Sequence, residues 1–173
     1  IQIGVKTRLN ILLQLAKAIQ HIHSFEKPYS HNDIKSLNVL FEEEFKNGGK
    51  NKIYLCDFGL ADYAGEQVRG FTPNYTAPEI LRGEEFDCTC DLYSFGVVIW
   101  ESFARQTPFQ GKKREDIIEM VSNGDTLNLD EMEPETPKEI VELTKNLFKD
   151  RFERISLKET MKILEKAERK AKN

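Results

Sequence analysis

His31-Asn32-Asp33-Ile34-Lys35-Ser36-Leu37-Asn38 is followed downstream by Asp57-Phe58-Gly59 and then by Ala77-Pro78-Glu79. Asp33 and Asn38 lie five residues apart, and Asp57 follows Asp33 by 24 residues. One carboxylate of this kind can orient a hydroxyl and take its proton. An amide oxygen and a second carboxylate are the hard donors that Mg²⁺ prefers. Asp and Asn also favour turns and helix caps for purely local reasons, so each triplet alone carries little. Three of them in this order carry far more.

Around this set the chain is ordinary in bulk. It has 173 residues, 39% of them hydrophobic and 31% charged, with a formal net charge of −4. A domain of this length can bury roughly 70% of the surface its unfolded chain would expose. The charge balance gives no reason to expect nucleic acid or an anionic membrane as partner. The cations from Lys166 to Lys172 interleave with Glu165 and Glu168 and read as a closing helical turn that complements the helix dipole. No apolar run reaches membrane-spanning length, and the start of the chain has no signal-peptide pattern. Cys56, Cys88 and Cys90 are odd in number and match no zinc-ligand spacing. Reduced thiols are expected, and with them a cytosolic or nuclear, here cytoplasmic, setting.

Periodicity supplies the local structure. Leu12, Leu15, Ala16, Ile19 and His23 form one helical face within a helix expected from about Thr7 to Phe25, with Pro28 ending that region. His21 and His23 have no acidic or cysteine company at ligand spacing and read as packing residues. Val39–Phe41 and Ile53–Cys56 read as short strands, joined by a long polar loop with a turn at Asn47-Gly48-Gly49. Leu92, Phe95, Gly96, Ile99 and Phe103 make a second stripe, and Val97, Val98 and Trp100 fill the other side. The spacing predicts a helix buried all round over about 91–104, stopped by Pro108. A shorter helix is expected over Arg114–Asn123, closed by Gly124, and a loop over Asp125–Glu135. Thr136-Pro137-Lys138-Glu139 carries an N-cap, a first-position proline and a capping-box acid; Ser156 and Glu159 repeat the box. Mainly α with a small β-hairpin is the fold class these patterns support.

The ordered motifs resemble those of eukaryotic protein kinases, whose catalytic loop reads H-R-D-L-x-x-x-N, followed by D-F-G and A-P-E. The resemblance covers nearly the whole chain and implies one domain over residues 1–173. That domain is the C-terminal lobe of a kinase, with catalytic loop 31–38, activation segment 57–79 and the helix at 91–104 at its centre. It implies ATP and Mg²⁺ as cofactors, and phosphoryl transfer to a protein substrate in signal transduction. Asp33 would be the catalytic base and Lys35 the cation on the transferring phosphoryl group. Asn38 and Asp57 would hold metal, Leu40 would lie beneath the adenine, and Cys56 would line the back of the nucleotide pocket. Gly59 would permit the turn that aims Asp57. Phe58 and His31 resemble members of the family's regulatory spine, with Asp91 as its anchor. Glu79 and Arg154 resemble its buried ion pair.

Lys35 and Thr72 resemble serine/threonine rather than tyrosine kinases, and Tyr75 matches the usual tyrosine before A-P-E. The run from Asp91 to Gly96, Trp100-Glu101 and Ser36 resemble the tyrosine-kinase-like group, which includes mixed-lineage and receptor-interacting kinases. Asn32 stands where the family has arginine, and the only hydroxyl between Gly59 and Thr72 is that of Tyr63. The expectation is a kinase switched by a regulatory domain or dimer partner rather than by phosphate on this segment. No glycine-rich loop or V-A-I-K lysine precedes His31. The expectation is therefore a fragment lacking the N-terminal lobe and inactive alone. The alternative is a pseudokinase or truncated lobe used as an interaction scaffold.

Overall fold

The computed structural model describes residues 3–46, 48–49, 51–63 and 70–172. Helix α1 runs Val5–His23 and buries Leu9, Leu12, Leu15, Ala16 and Ile19, the face that periodicity marks. Pro28 does not end it. The stop comes at Ser24, whose backbone N–H donates to Gln20 O and His21 O, and whose hydroxyl donates to His21 O at 2.8 Å.

Strand β1 (Tyr29–Ser30) follows. Strands β2 (Val39–Phe41) and β3 (Ile53–Leu55) pair antiparallel, with Val39 opposite Leu55 and Phe41 opposite Ile53. The hairpin is as expected, although Cys56 lies just past its end. Of its turn, Asn47 lies outside the described residues, while Gly48 takes φ +75°. A pairing without sequence signal joins β1 to β4 (Asp62–Tyr63), Tyr29 against Tyr63 and Ser30 against Asp62.

After a short helix α2 (Pro78–Leu81) comes α3, Thr89–Ala104. It is buried on nearly every side: Phe95, Val97, Ile99 and Phe103 have no exposed surface. Its end is set by Arg105 in the left-handed conformation (φ +55°), three residues before Pro108. Gly96 is the closest approach in the core. A Cβ there would lie 2.9 Å from Leu147 Cβ and 3.1 Å from Phe148 Cε1, so only a bare backbone lets the next layer pack.

That layer is α5 (Lys138–Leu147), which packs on α3 and on α6 (Leu157–Lys170); α6 in turn packs on α1. Helix α4 (Arg114–Ser122) is closed by Gly124 at φ +93°, as expected. The stretch from Asp125 to Glu135 is more ordered than its composition suggests. It holds a 3₁₀ turn at Leu129–Glu131, capped by Asn128, and it buries Leu127 and Met132. Trp100 Nε1 donates to Asn128 O at 2.8 Å.

The two capping boxes divide. Ser156 Oγ accepts from Glu159 N and donates to Glu159 Oε2. Thr136 does not cap: the position before α5 is taken by Pro137, whose carbonyl accepts from Ile140 N and Val141 N. The chain is thus mainly helical, with two short antiparallel strand pairs whose strands β1 and β3 pack on α1. Among the described residues, no helix is long and apolar enough to cross a membrane.

Glu79 of α2 and Arg154, ahead of α6, form a bidentate pair at 2.7 and 3.1 Å. Both side chains are almost fully buried. Arg154 also donates to Thr89 O at 2.8 Å, which ties the pair to the start of α3. Removing one partner of a buried pair leaves an uncompensated charge at a cost of about 3–5 kcal/mol. Arg154→Ala is expected to lower the melting temperature accordingly; an unchanged thermal melt contradicts the pair's structural role. Gly96→Ala forces a methyl into the α3–α5 contact and is expected to cost about 1–3 kcal/mol in denaturant unfolding.

Candidate active site

The catalytic loop is placed from behind by one side chain. Asp91, in the first turn of α3 and wholly buried, accepts from His31 N through Oδ2 (2.8 Å) and from Asn32 N through Oδ1 (2.9 Å). His23 Nε2 lies 2.8 Å from Asp91 Oδ2. His23, read from sequence as packing, thus contacts the carboxylate that orders the loop. Its partner lies 68 residues away, and no local spacing could reveal it.

Holding two successive amides turns the chain sharply. Asn32 sits at φ +63°, a left-handed conformation that Asn tolerates better than most residues. His31 Nε2 lies 3.0 Å from Cys56 O, and His31 Nδ1 accepts from Asp33 N at 3.3 Å. Nδ1 as acceptor requires the neutral tautomer with Nε2–H as donor.

Four of the expected residues then converge. Asp33 Oδ1 accepts from Thr72 Oγ1 at 2.7 Å, and Oδ2 lies 2.7 Å from Lys35 Nζ. Lys35 Nζ also donates to Thr72 Oγ1 at 3.1 Å. The 3₁₀ turn at Ser36–Asn38 brings Asn38 back, so its Nδ2 donates to Asp33 O at 2.8 Å and to Oδ2 at 3.1 Å. With both amide hydrogens engaged, the oxygen of Asn38 is the atom left to accept or ligate. Asp33 is 7% exposed and Asn38 5%, so the cluster is shielded, with the Lys35 side chain its more open member at 18%.

Asp57 stands outside this hydrogen-bonded cluster but is joined to it through the backbone. Cys56 N donates to Asn38 O at 2.9 Å, its carbonyl meets His31, and the Phe58 ring lies 4.7 Å from the His31 ring. Here a correction is due. Asp57 itself, not Gly59, takes the left-handed conformation, at φ +61°. Gly59 serves by leaving room: a Cβ there would lie 3.2 Å from Asp57 Oδ1, which accepts from Gly59 N at 3.3 Å. Asp57 is exposed. The Asn38 amide oxygen and the Asp57 carboxylate are donors of the hard type that divalent cations accept; among the described residues, no cluster of three or more His, Cys, Asp or Glu could hold a metal ion. Leu40 is half-exposed on β2 opposite Tyr54, and the Cys56 side chain is half-buried.

These observations meet a direct comparison. Residues 3–164 match the family described as protein kinase domain. The chain is a member of the protein kinase family. It is 33% identical over 138 residues to a Drosophila melanogaster mitogen-activated protein kinase kinase kinase 7-like protein, covering 76% of this chain and 34% of the relative. It is 34% identical over 165 residues to a probable LIM domain-containing serine/threonine-protein kinase of Dictyostelium discoideum, covering 92% and 16%. It is also 32% identical over 113 residues to the serine/threonine-protein kinase CTR1 of Arabidopsis thaliana, covering 62% and 13%. The chain therefore spans about a third or less of these relatives' lengths.

Two features of this kinase chain lie outside the expected set. Tyr75 OH donates to Glu101 Oε1 at 2.9 Å, tying the segment after Thr72 to α3. Cys88 and Cys90, beside Asp91, are protonated: burial pushes Cys88 up to about 12 and Cys90 well above the ordinary thiol range. Neither is poised as a nucleophile.

Burial also raises the Glu101 carboxyl above its ordinary 4.5, opposed by the hydroxyls of Ser36 and Tyr75. A raised acid favours the folded state while it is neutral. Its contribution is complete below the unfolded value and is lost as pH rises through the higher folded one. Glu101→Gln keeps an acceptor for Tyr75 and removes the titration. Its melting temperature relative to wild type is expected to be more favourable at pH 7 than at pH 4; parallel melting curves across that range contradict this.

Proposed function

We propose that this chain is the large lobe of an ATP- and Mg²⁺-dependent protein serine/threonine kinase. The observation that carries the reading is the cluster of Asp33, Lys35, Thr72 and Asn38. It joins residues 39 apart in sequence around one carboxylate at the cleft. Such an arrangement suits transfer to a hydroxyl, a reaction that needs positioning and charge neutralisation more than covalent chemistry.

In the reaction, Mg²⁺-bound ATP supplies the γ-phosphoryl group with its charge partly neutralised. Asp33 aligns the serine or threonine hydroxyl of the acceptor protein. As the acceptor O–P bond forms and the bond to the leaving diphosphate breaks, Asp33 receives the hydroxyl proton. Thr72 holds the other carboxylate oxygen, so Asp33 cannot swing away. Lys35, held beside Thr72 and Asp33, would meet the transferring oxygens with its charge. Asn38 and Asp57 offer the oxygens that would hold metal, and Leu40 and Cys56 the apolar floor and back wall for adenine.

Leu37, Leu40, Tyr54 and Phe58 are large apolar side chains left exposed, with Leu40 and Tyr54 directly opposite each other on the hairpin. They support a reading in which a smaller lobe closes over them and supplies the remaining phosphate contacts. The unpaired thiols of Cys56, Cys88 and Cys90 fit a cytoplasmic protein. The similarity to the Drosophila and Arabidopsis relatives supports placement in the tyrosine-kinase-like group.

Phosphate transfer from labelled ATP by the full-length protein, beside its Asp33→Asn variant, tests the reading. Incorporation on serine or threonine is expected, falling by about 10²–10⁴-fold in the variant. Transfer by neither protein, with the fold intact by circular dichroism, would instead identify a non-catalytic scaffold.

A further inference from the structure

Asn32 is buried, 8% exposed, and both ends of its side-chain amide are bonded. Nδ2 donates to Leu60 O at 3.1 Å, and Oδ1 accepts from Cys90 Sγ at 3.6 Å. Cys90 in turn contacts Ser30 Oγ at 3.2 Å. The amide therefore bridges three pieces of chain: the catalytic loop, the residue just beyond Asp57-Phe58-Gly59, and the first turn of α3.

The neighbouring contacts act in the same direction. Strands β1 and β4 pair immediately on either side of the bridge. Tyr29 OH donates to Ala61 O at 3.1 Å, and Ala61 N donates to Phe58 O at 3.1 Å. The Tyr63 ring packs edge-on against Tyr29, with Lys27 Nζ 3.8 Å from its centre. From Leu60 to Phe71 the chain offers one hydroxyl, that of Tyr63.

We propose that Asn32 is a positioning residue: its neutral amide latches the catalytic loop to the backbone after the metal-binding turn. Asp33 and Asp57 are thereby held in register without a phosphate on the intervening segment. Each of the two lies next to, or three residues from, an end of the latch. Left-handed backbone at both Asn32 and Asp57 means that two strained turns must be held at once. A short polar side chain that tolerates positive φ and carries both a donor and an acceptor satisfies all three demands. Asp matches the shape, the backbone angle and the acceptor but lacks the donor. An aliphatic residue matches none.

The consequence for Asp33 and Asp57 rests on the kinase reading, whereas the latch can be measured without catalysis. Asn32→Gly keeps the backbone conformation and removes the amide. Asn32→Asp keeps the shape but sets a carboxylate against Leu60 O in the company of Asp33, Asp91, His31 and Cys90. The first measurement is amide hydrogen exchange at Ala61, Asp62 and Tyr63 in the full-length protein. Exchange there is expected to quicken roughly tenfold in Asn32→Gly, with protection in α3 unchanged. Asn32→Asp should behave likewise at pH 8 and regain protection toward pH 5, where a neutral carboxyl can donate as the amide does. Phosphatase treatment of the wild type should leave the protection in place. Where transfer activity is present, Asn32→Gly should raise the Mg²⁺ concentration for half-maximal rate. Unaltered exchange at 61–63 in Asn32→Gly, or loss of wild-type protection on phosphatase treatment, would overturn the latch. If exchange responds as stated but neither protein transfers phosphate, the latch stands and the kinase reading falls.

Discussion

The site depends on a buried carboxylate. Asp91 has no exposed surface and accepts from two consecutive backbone amides and from His23. An unpaired carboxylate there would be strongly disfavoured. Its three donors and its place in the first turn of a helix, where negative charge is favoured, make the burial tenable. The dependence then runs outward. Helix α3 is locked by apolar packing on all sides, so Asp91 is fixed. Fixed acceptors at His31 and Asn32 bend the chain into its left-handed turn, and that turn delivers Asp33 to Thr72 and Lys35. The end of α1 is drawn into the same arrangement through His23.

Much of this was legible in the residues because the patterns involved are local. The stripe from Leu12 to Ile19, the all-round apolar character of Leu92 to Phe103, and the Ser156 box each specify their element within a few residues. The motifs around Asp33, Asp57 and Glu79 indicated which side chains would meet, and the contacts among Asp33, Lys35, Asn38 and Thr72 follow them. Other features resisted for identifiable reasons. The β1–β4 pairing joins two-residue segments too short for any alternation to register. Thr136 has the right letters for a cap, but Pro137 occupies the position. At Asp57-Phe58-Gly59, glycine invites the assumption that it takes the unusual backbone angle; steric room beside Asp57 Oδ1 is its actual use. The Asn32–Leu60 and Tyr75–Glu101 bonds depend on tertiary placement alone. Leu127 and Met132 sit in an acidic stretch whose composition disguises their burial.

Two further contacts show how the outer elements feed the centre. Asn74 Nδ2 donates to Pro108 O at 2.8 Å, and the Arg114 guanidinium lies 4.8 Å from the centre of the Phe71 ring. The segment carrying Thr72 is thus braced on its far side by the start of α4 and by the turn after α3. With Tyr75 bound to Glu101, the hydroxyl that grips Asp33 is held on three sides.

The packing of α1 against α6 has a consequence for how the chain is made. These helices are separated by more than a hundred residues, yet each completes the other's apolar face. During synthesis at about 5–20 residues per second, α1 waits roughly 7–30 s before α6 exists. Over that interval the part of the apolar face of α1 that α6 covers stays open, although β1, β3 and α3 reach the helix earlier. Nascent chains of this protein are therefore open to holding chaperones until α6 emerges, and slowed translation between α1 and α6 would lengthen that exposure without changing the finished molecule.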